Sequence, residues 1–468
     1  MTENGAPGLT ARLAEFAASG HTIEPEPQAV RTVVRAFADT VAVMLAASQE
    51  PATHIVQAYY LGEDADRNAG AGGGTHGPRC TVLLGARQAS ARSAALVNAT
   101  AAHVLDFDDV ALQGHPSAVL VPALLAEAQR LQASGRDVLR AYLVGYAVWG
   151  ELAAREADPL HASGWHPTGL LGAAACTAAV CSLRRVPASV ARHALGIAAS
   201  RAAGVMANFG SMTKALHVGW AAAHGIEAAD LAECGLTSSA DALEHRNGLL
   251  AAASPHGRVR LEDAAPAFLQ RAGEAPALTR KKFPVCNAVH RTLDAILTLL
   301  HRHDIRPTQV RMIQATVGAV QLDMLRHGTP KDVLEAKFSL PFALASALLR
   351  RRMTLSELNP DFVTSPEVRA LLERIRVDAT DARSASHPAL PLNRIAIDLE
   401  DGRRLACDDV GHARGSPALP LDDAELQSKF DDCVAHAGLR PQRLLWERLM
   451  GLPGLPELSA LRTADAGS

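Results

Sequence analysis

From Ala29 to Ser48, in AVRTVVRAFADTVAVMLAAS, apolar residues recur at three- and four-residue intervals, which sets them on one face of a helix. The pattern breaks at GEDADRNAGAGGGTHGPR, Gly62 to Arg79, where polar residues and glycines take over. That stretch reads as a surface loop, because it lacks the Gly-Lys-Ser/Thr ending and the preceding buried strand of a phosphate loop. Helical spacing returns from Ala89 to about Ala253, in SARSAALVNATAAHVLDF, GRDVLRAYLVGYAVWGELAAR, TGLLGAAACTAAVCSLRR, SVARHALGIAASRAAGV and HVGWAAAHGIEAADLAECG. Several of these runs are built from small apolar residues with little polar decoration, as helices buried on most faces are. Beyond Pro276 the character changes. QVRMIQATVGAV and RIAIDLEDGRRLAC predict strands, the second a hairpin turned at Asp401-Gly402. DDAELQSKFDDCVAHAG, near the C-terminus, is helical again. The predicted fold is therefore mainly α: a large all-α helical domain formed by both chain ends, 1–275 and 410–468, plus a smaller inserted α+β lid domain, 276–409.

Composition narrows the picture. A chain of 468 residues exceeds what one hydrophobic core usually serves, so two domains are expected. Aromatic residues are only 4% and alanine, the best helix former, is abundant. The net charge of −3, with both signs interspersed, gives no reason to expect nucleic acid or a membrane surface as a partner. Seven scattered cysteines form neither a disulfide framework nor a Cys-x-x-Cys thiolate pair. The N-terminal MTENGAPGLTARLAEF has no apolar signal core, and no apolar run reaches membrane-spanning length, so a cytoplasmic location is expected.

The candidate chemistry collects where helices are about to start. His115-Pro116-Ser117 precedes AVLVPALLAEAQRL; His166-Pro167-Thr168 precedes GLLGAAACTAAV; Lys214 falls in the first turn of the helix in GSMTKALHVGWAAAHG; Lys281, Lys282 and Cys286 surround a fourth start. A cation at a helix N-terminus is electrostatically odd, since the macrodipole already makes that end positive. Several together point to a shared anion, a small di- or tricarboxylate held where helix N–H groups converge. AAHVLDFDDVALQGHP supplies the carboxylate. If its helix continues through Phe107, His103 and Asp106 share a face. Asp106, between Leu105 and Phe107, would then have its pKa raised by burial toward a useful acid or base. Asp108 and Asp109 read as the solvated end of that helix. A divalent-metal reading of His103, Asp106, Asp108, Asp109 and His115 lacks any recognised ligand spacing, so neither metal nor cofactor is expected.

Taken together, VNATAAHVLDFDDV…GHPSAVLVPALLA, GWHPTGLLGAAACTAAV, FGSMTKALHVGWAAAHGIEAADLAECGLT, KKFPVCNAVHRTLDA and EAKFSLPFALASAL resemble the MmgE/PrpD family, in the family's order and over most of the chain. That family includes 2-methylcitrate dehydratase, cis-aconitate decarboxylase and iminodisuccinate epimerase. The resemblance implies a helical domain with an inserted α+β lid, a homodimer, and a cofactor-free, metal-free site between the domains. It implies a small polycarboxylate substrate that loses or gains a proton next to a carboxylate. It places the active-site aspartate on Asp106, the loop histidine on His115 and the GxHPT histidine on His166. The TK-x-LH lysine falls on Lys214, and the lid lysine on Lys281 or Lys282. Thr168, His217 and His103, within or beside these motifs, join the substrate-binding candidates. Two positions depart from cis-aconitate decarboxylases: Cys286 stands where they resemble one another in having histidine, and Phe342 where they have tyrosine. Cys286 makes the chain look more like family members other than the dehydratase and decarboxylase, the epimerase-like ones included, and a thiol at a helix N-terminus can serve as acid or base.

The working reading is a hydro-lyase. Lys214, Lys281 or Lys282, His115 and helix N–H groups bind the carboxylates and stabilise the enolate-like charge, and Asp106 or His166 is the general base. Epimerisation is the alternative, cis-aconitate-type decarboxylation a further one, and a scaffold without turnover is the competing class.

Overall fold

The computed structural model describes residues 7–70, 79–261 and 267–464. Helices α1 (Leu9–Ser19), α2 (Pro27–Ala46) and α3 (Pro51–Gly70) lead into α4 (Ala91–Val104), α5 (Pro116–Leu131) and α6 (Gly135–Ala154). They are followed by α7 (Pro167–Arg184), α8 (Ala188–Ala199) and α9 (Met212–Glu233). Prolines open α2, α5 and α7 at their first turn, where a missing N–H costs nothing. Ser90 and Ser134 cap α4 and α6, accepting the N–H groups of Ser93 and Asp137. The stretch read as a loop from Gly62 is helical as far as Gly70, in keeping with the alanine, glutamate and arginine it contains. Its residues 71–78 lie outside the described residues.

Side chains of α1, α2 and α4 to α9 fill one large core in which α9 packs against both α4 and α7. Close approach is possible because small residues line the contacts. A Cβ on Gly219 of α9 would sit 2.7 Å from the Leu96 carbonyl of α4, so the two backbones need glycine there. After Ala277 the chain builds a second core around α10 (Asn287–His303), α11 (Leu340–Arg350) and a four-stranded sheet. The strands β1 (Val310–Gly318), β2 (Ile375–Thr380), β3 (Arg394–Leu399) and β4 (Arg404–Cys407) lie in the order β2-β1-β3-β4. β1 pairs parallel with β2 and antiparallel with β3, and β3 pairs antiparallel with β4 across the hairpin at Gly402, whose φ is +85°. Ala319 and Val320, read as the end of a strand, instead begin a short helix.

The chain then returns. Leu426, Phe430 and Cys433 of α12 (Asp423–His436) and Leu445 and Leu449 of α13 (Arg443–Met450) join the first core, and both helices pack on α2. The protein is thus mainly helical, with the four-stranded sheet and a two-stranded pair at Cys80–Thr81 and Gln88–Ala89, and its mainly α character is as the sequence pattern predicts. Among the described residues no helix is long and apolar enough to cross a membrane.

Candidate active site

α4 stops at Val104, a turn earlier than the sequence pattern suggests, and Asp106 adopts a left-handed backbone with φ +51°. A non-glycine residue pays for that conformation, and here surrounding side chains hold it. The Lys337 ammonium donates to the Val104 carbonyl (3.0 Å) and takes over the C-terminal capping of α4. Lys281 donates to the Asp106 carbonyl (2.7 Å), and Lys429 to the Phe107 carbonyl (2.8 Å). Because the helix ends early, His103 and Asp106 do not share a helix face.

The Asp106 carboxylate is shared by two ammonium groups, Lys214 Nζ at 2.5 Å and Lys281 Nζ at 3.0 Å, and all three side chains are buried. Phe209 and Phe338 flank Lys214, with ring centroids 5.2 and 5.0 Å from its Nζ. Burial alone would raise the Asp106 pKa, as the sequence reading expected. The Lys214 and Lys281 charges more than offset it and hold the carboxyl well below its usual range. Lys281, despite burial, is raised by Asp106. Asp106 is therefore a fixed anion, poorly suited to accept a proton.

Asp108 and Asp109, read as solvated, are fully buried. Asp108 accepts from His103 Nδ1 (3.0 Å) and from His115 Nδ1 (2.9 Å), and His115 Nδ1 also lies 2.9 Å from the Asp109 carbonyl. With acceptors on that side, Nδ1 carries a proton in both rings, and the buried His103 keeps a lone pair on Nε2. Burial opposes ionisation of Asp108, but the two imidazoles hold its carboxyl well below the usual range. Burial, with Lys214 adding to it, pushes His103 down to about 3. The Asp109 carboxylate accepts the Ser117 N–H (3.3 Å) and hydroxyl at the start of α5. Burial and the neighbouring Asp39 push its pKa up to about 7.

His115 and His166 precede the first residues of α5 and α7, and Cys286 that of α10, as the proline and motif positions suggest. His166 is fixed by its own N–H to the Gly204 carbonyl (3.0 Å) and by His217, whose Nδ1 lies 3.1 Å from its Nδ1. Its Nε2 is buried without a hydrogen-bond partner. Burial and the Lys214 charge lower it well below the usual histidine range, so it is a neutral imidazole.

A cavity of about 370 Å³ between the two cores is lined by Asp106, His115, His166, Lys214, Lys281 and Cys286, with His161 and Arg291 on its walls. The remaining candidates do not line it. Thr168 lies behind His115, its hydroxyl accepting the His115 N–H (3.2 Å). His217 backs His166, and His103 backs Asp108. Lys282 turns outward, 3.8 Å from Asp294 and half exposed, so of the adjacent lysines Lys281 alone lines the cavity. Phe342 is buried against Phe362 in the second core, away from the cavity wall, where Phe338 stands instead. Burial and Asp106 raise the Cys286 thiol, which favours its neutral form.

His103, His115 and His166 bring ligand-type atoms within 4.8 Å of one another, as do His103, Asp106 and Asp108. Lys214 and Lys281 already neutralise Asp106, and two imidazoles occupy Asp108. The excess positive charge suits an anion better than a second cation. Lys337, Lys429 and the bridging role of Asp108 were not among the sequence candidates. Lys337 lies within EAKFSLPF, and Lys429 interrupts the apolar face Leu426-Phe430-Cys433, a signal readable without a structure.

A helical body and a small α+β unit thus enclose a buried lysine–aspartate–imidazole cluster at the wall of a modest cavity. The chain matches the MmgE/PrpD N-terminal domain over residues 11–262 and the MmgE/PrpD C-terminal domain over 283–445, and it belongs to the MmgE/PrpD family. It is 30% identical to a human cis-aconitate decarboxylase over 350 residues, covering 72% of this chain and 71% of the relative. A mouse cis-aconitate decarboxylase is 29% identical (72% and 70% covered), and one from Aspergillus terreus is 24% identical (69% and 71%). The protein is an enzyme of this family, with lyases among its relatives.

Proposed function

We propose that the enzyme is a cofactor-independent hydro-lyase that takes a small di- or tricarboxylate into the cavity and removes a proton next to a carboxylate. The observation that carries this reading is one buried carboxylate, Asp106, held between two buried ammonium groups at the wall of a cavity. Uncompensated buried charge is costly, and a polycarboxylate substrate supplies the missing anions. Its carboxylates would meet Lys214, Lys281, His115 and the N–H groups at the starts of α5 and α7.

His166 is the better base. Its Nε2 is unpartnered, while Asp106 is locked in its ionised form. Substrate carboxylates beside Lys214 would remove the repulsion that depresses His166, raising its basicity when substrate is present. The carbon-bound proton passes to His166 Nε2, Lys214 and Lys281 stabilise the enolate-like charge, and the C–O bond to the β-hydroxyl breaks. The departing oxygen takes a proton from a cavity-wall acid, His115 or neutral Cys286, and leaves as water. Decarboxylation is the second reading, favoured by the names of the relatives, in which C–C cleavage releases carbon dioxide and the same acid protonates the carbanion.

Proton NMR in D₂O with citrate, 2-methylcitrate, cis-aconitate and substituted succinates tests both. Deuterium entering next to a carboxylate, with an unsaturated product, supports dehydration. Loss of one carboxylate supports decarboxylation, and a stereoisomer alone supports epimerisation. No exchange with any of them removes the proposed chemistry.

A further inference from the structure

We propose that Lys429, contributed by α12 close to the C-terminus, is a positioning residue that sets the geometry of the Asp106–Lys281 pair; this rests on the site reading above. Lys429 is buried, and its ammonium has three partners at tetrahedral capacity. It donates to the Phe107 carbonyl (2.8 Å) and the Lys281 carbonyl (2.9 Å), and it pairs with Asp39 of α2 (2.7 Å). It also lies 3.8 Å from the Phe107 ring centroid. One side chain therefore grips the backbone next to Asp106 and the backbone of Lys281 itself, while α2 anchors it from behind. Lys281 in turn holds both the carbonyl and the carboxylate of Asp106. The left-handed Asp106 is tied to the last turn of α4 by its N–H to the His103 carbonyl (2.9 Å), and on its other side, where no helix or strand follows directly, these ammonium contacts hold the chain. Lys429 does not line the cavity at Asp106; it borders a separate one, beside Phe107 and Leu421. Its effect on turnover runs through the two residues it orients.

The test separates positioning from stability. Lys429→Met leaves the Asp39 charge buried without its partner, so that variant loses stability whatever its role. The double variant Lys429→Met with Asp39→Asn removes both charges, and its Tm is expected to return toward that of the parent. Its kcat is expected to stay low, by on the order of 10²-fold, with KM little changed, because both carbonyls have lost their donor. Asp39→Asn alone keeps those two hydrogen bonds and should keep kcat. A substrate-free readout accompanies this: alkylation of Cys286, followed by peptide mass spectrometry, should speed up several-fold in the double variant as the segment beside it loosens. Recovery of kcat together with Tm, or Cys286 alkylation at the parent rate, overturns the proposal. If the parent enzyme turns over no polycarboxylate, the functional reading fails and the alkylation rate still decides the role of Lys429.

Discussion

At the scale of single residues, the site separates two carboxylates that the sequence places only three residues apart. Asp106 is paired with two ammonium groups and stays ionised; Asp109 is buried beside Asp39 and has its pKa pushed up to about 7. The same distinction assigns roles to Asp106 and His166. Replacing His166 with Asn should lower kcat by ~10²–10⁴-fold and remove the acidic limb of the kcat–pH profile, which that imidazole would control. Replacing Asp106 with Asn should also lower kcat, but the limb should remain and KM should not rise, since Lys214 and Lys281 are freed to meet the substrate. If the limb vanishes in Asp106→Asn and persists in His166→Asn, the base assignment is reversed. That Asp106, His115, His166 and Lys214 line one cavity was legible in part, because His115, His166 and Lys214 sit in short motifs beside helix starts and Asp106 in one just past the end of α4. The partners of Asp108 were not, since the contact with His115 depends on how the segment between them folds back, which no periodicity encodes.

At the scale of elements, helix starts carry the site, and the sequence announces them through prolines and capping serines. Helix ends are harder to see. α4 could not be read as stopping at Val104, because its end is set by Lys337, more than two hundred residues later. α7 shows how closely an element is held. The His166 N–H bonds the Gly204 carbonyl, and a Cβ on Gly169 would collide with the Ala203 carbonyl. The obstacle is backbone and cannot rotate away. Gly169→Ala should therefore destabilise the protein by about 1–3 kcal/mol, the cost of overpacking, and shift His166 relative to His217. Thermal unfolding checks the first effect, and reduced kcat in the protein that remains folded checks the second. An unchanged Tm would mean that the 203–204 segment yields freely and does not fix His166. The mainly helical fold with its inserted strands was readable from period alone. The packing that makes glycine obligatory at such contacts was not, since a glycine in an alanine-rich helix carries no mark of what it faces.

At the scale of the whole molecule, the buried imidazoles link stability to pH. His103 and His290 are lowered to about 3 and His161 and His217 to about 4, each mainly by burial. An unfolded chain would protonate them near the ordinary value of about 6.5. The folded protein therefore binds fewer protons than the unfolded chain between roughly pH 4 and 6.5, and its stability must fall as the pH drops through that window. Asp109 acts in the opposite direction, since its raised pKa makes the folded state bind an extra proton between its ordinary value and about 7. Asp230 and Asp432 are raised as well, mainly by burial, but His166, His224, His412 and His436 are also lowered. Eight histidines against three aspartates leave the histidines in control. Denaturant midpoints measured at pH 7.5, 6.5 and 5.5 should decline toward acid. A saturating polycarboxylate should raise all three by binding the folded state alone, by about 2.7 kcal/mol at a hundred times its Kd. The rise should be accompanied by a change in the acid dependence, because carboxylates beside Lys214 favour protonated imidazoles and bound anions take up protons with them. A midpoint that stays flat from pH 7.5 to 5.5 would show that the imidazoles are hydrated in solution. The electrostatic argument for an anion-seeking site would then lose its basis.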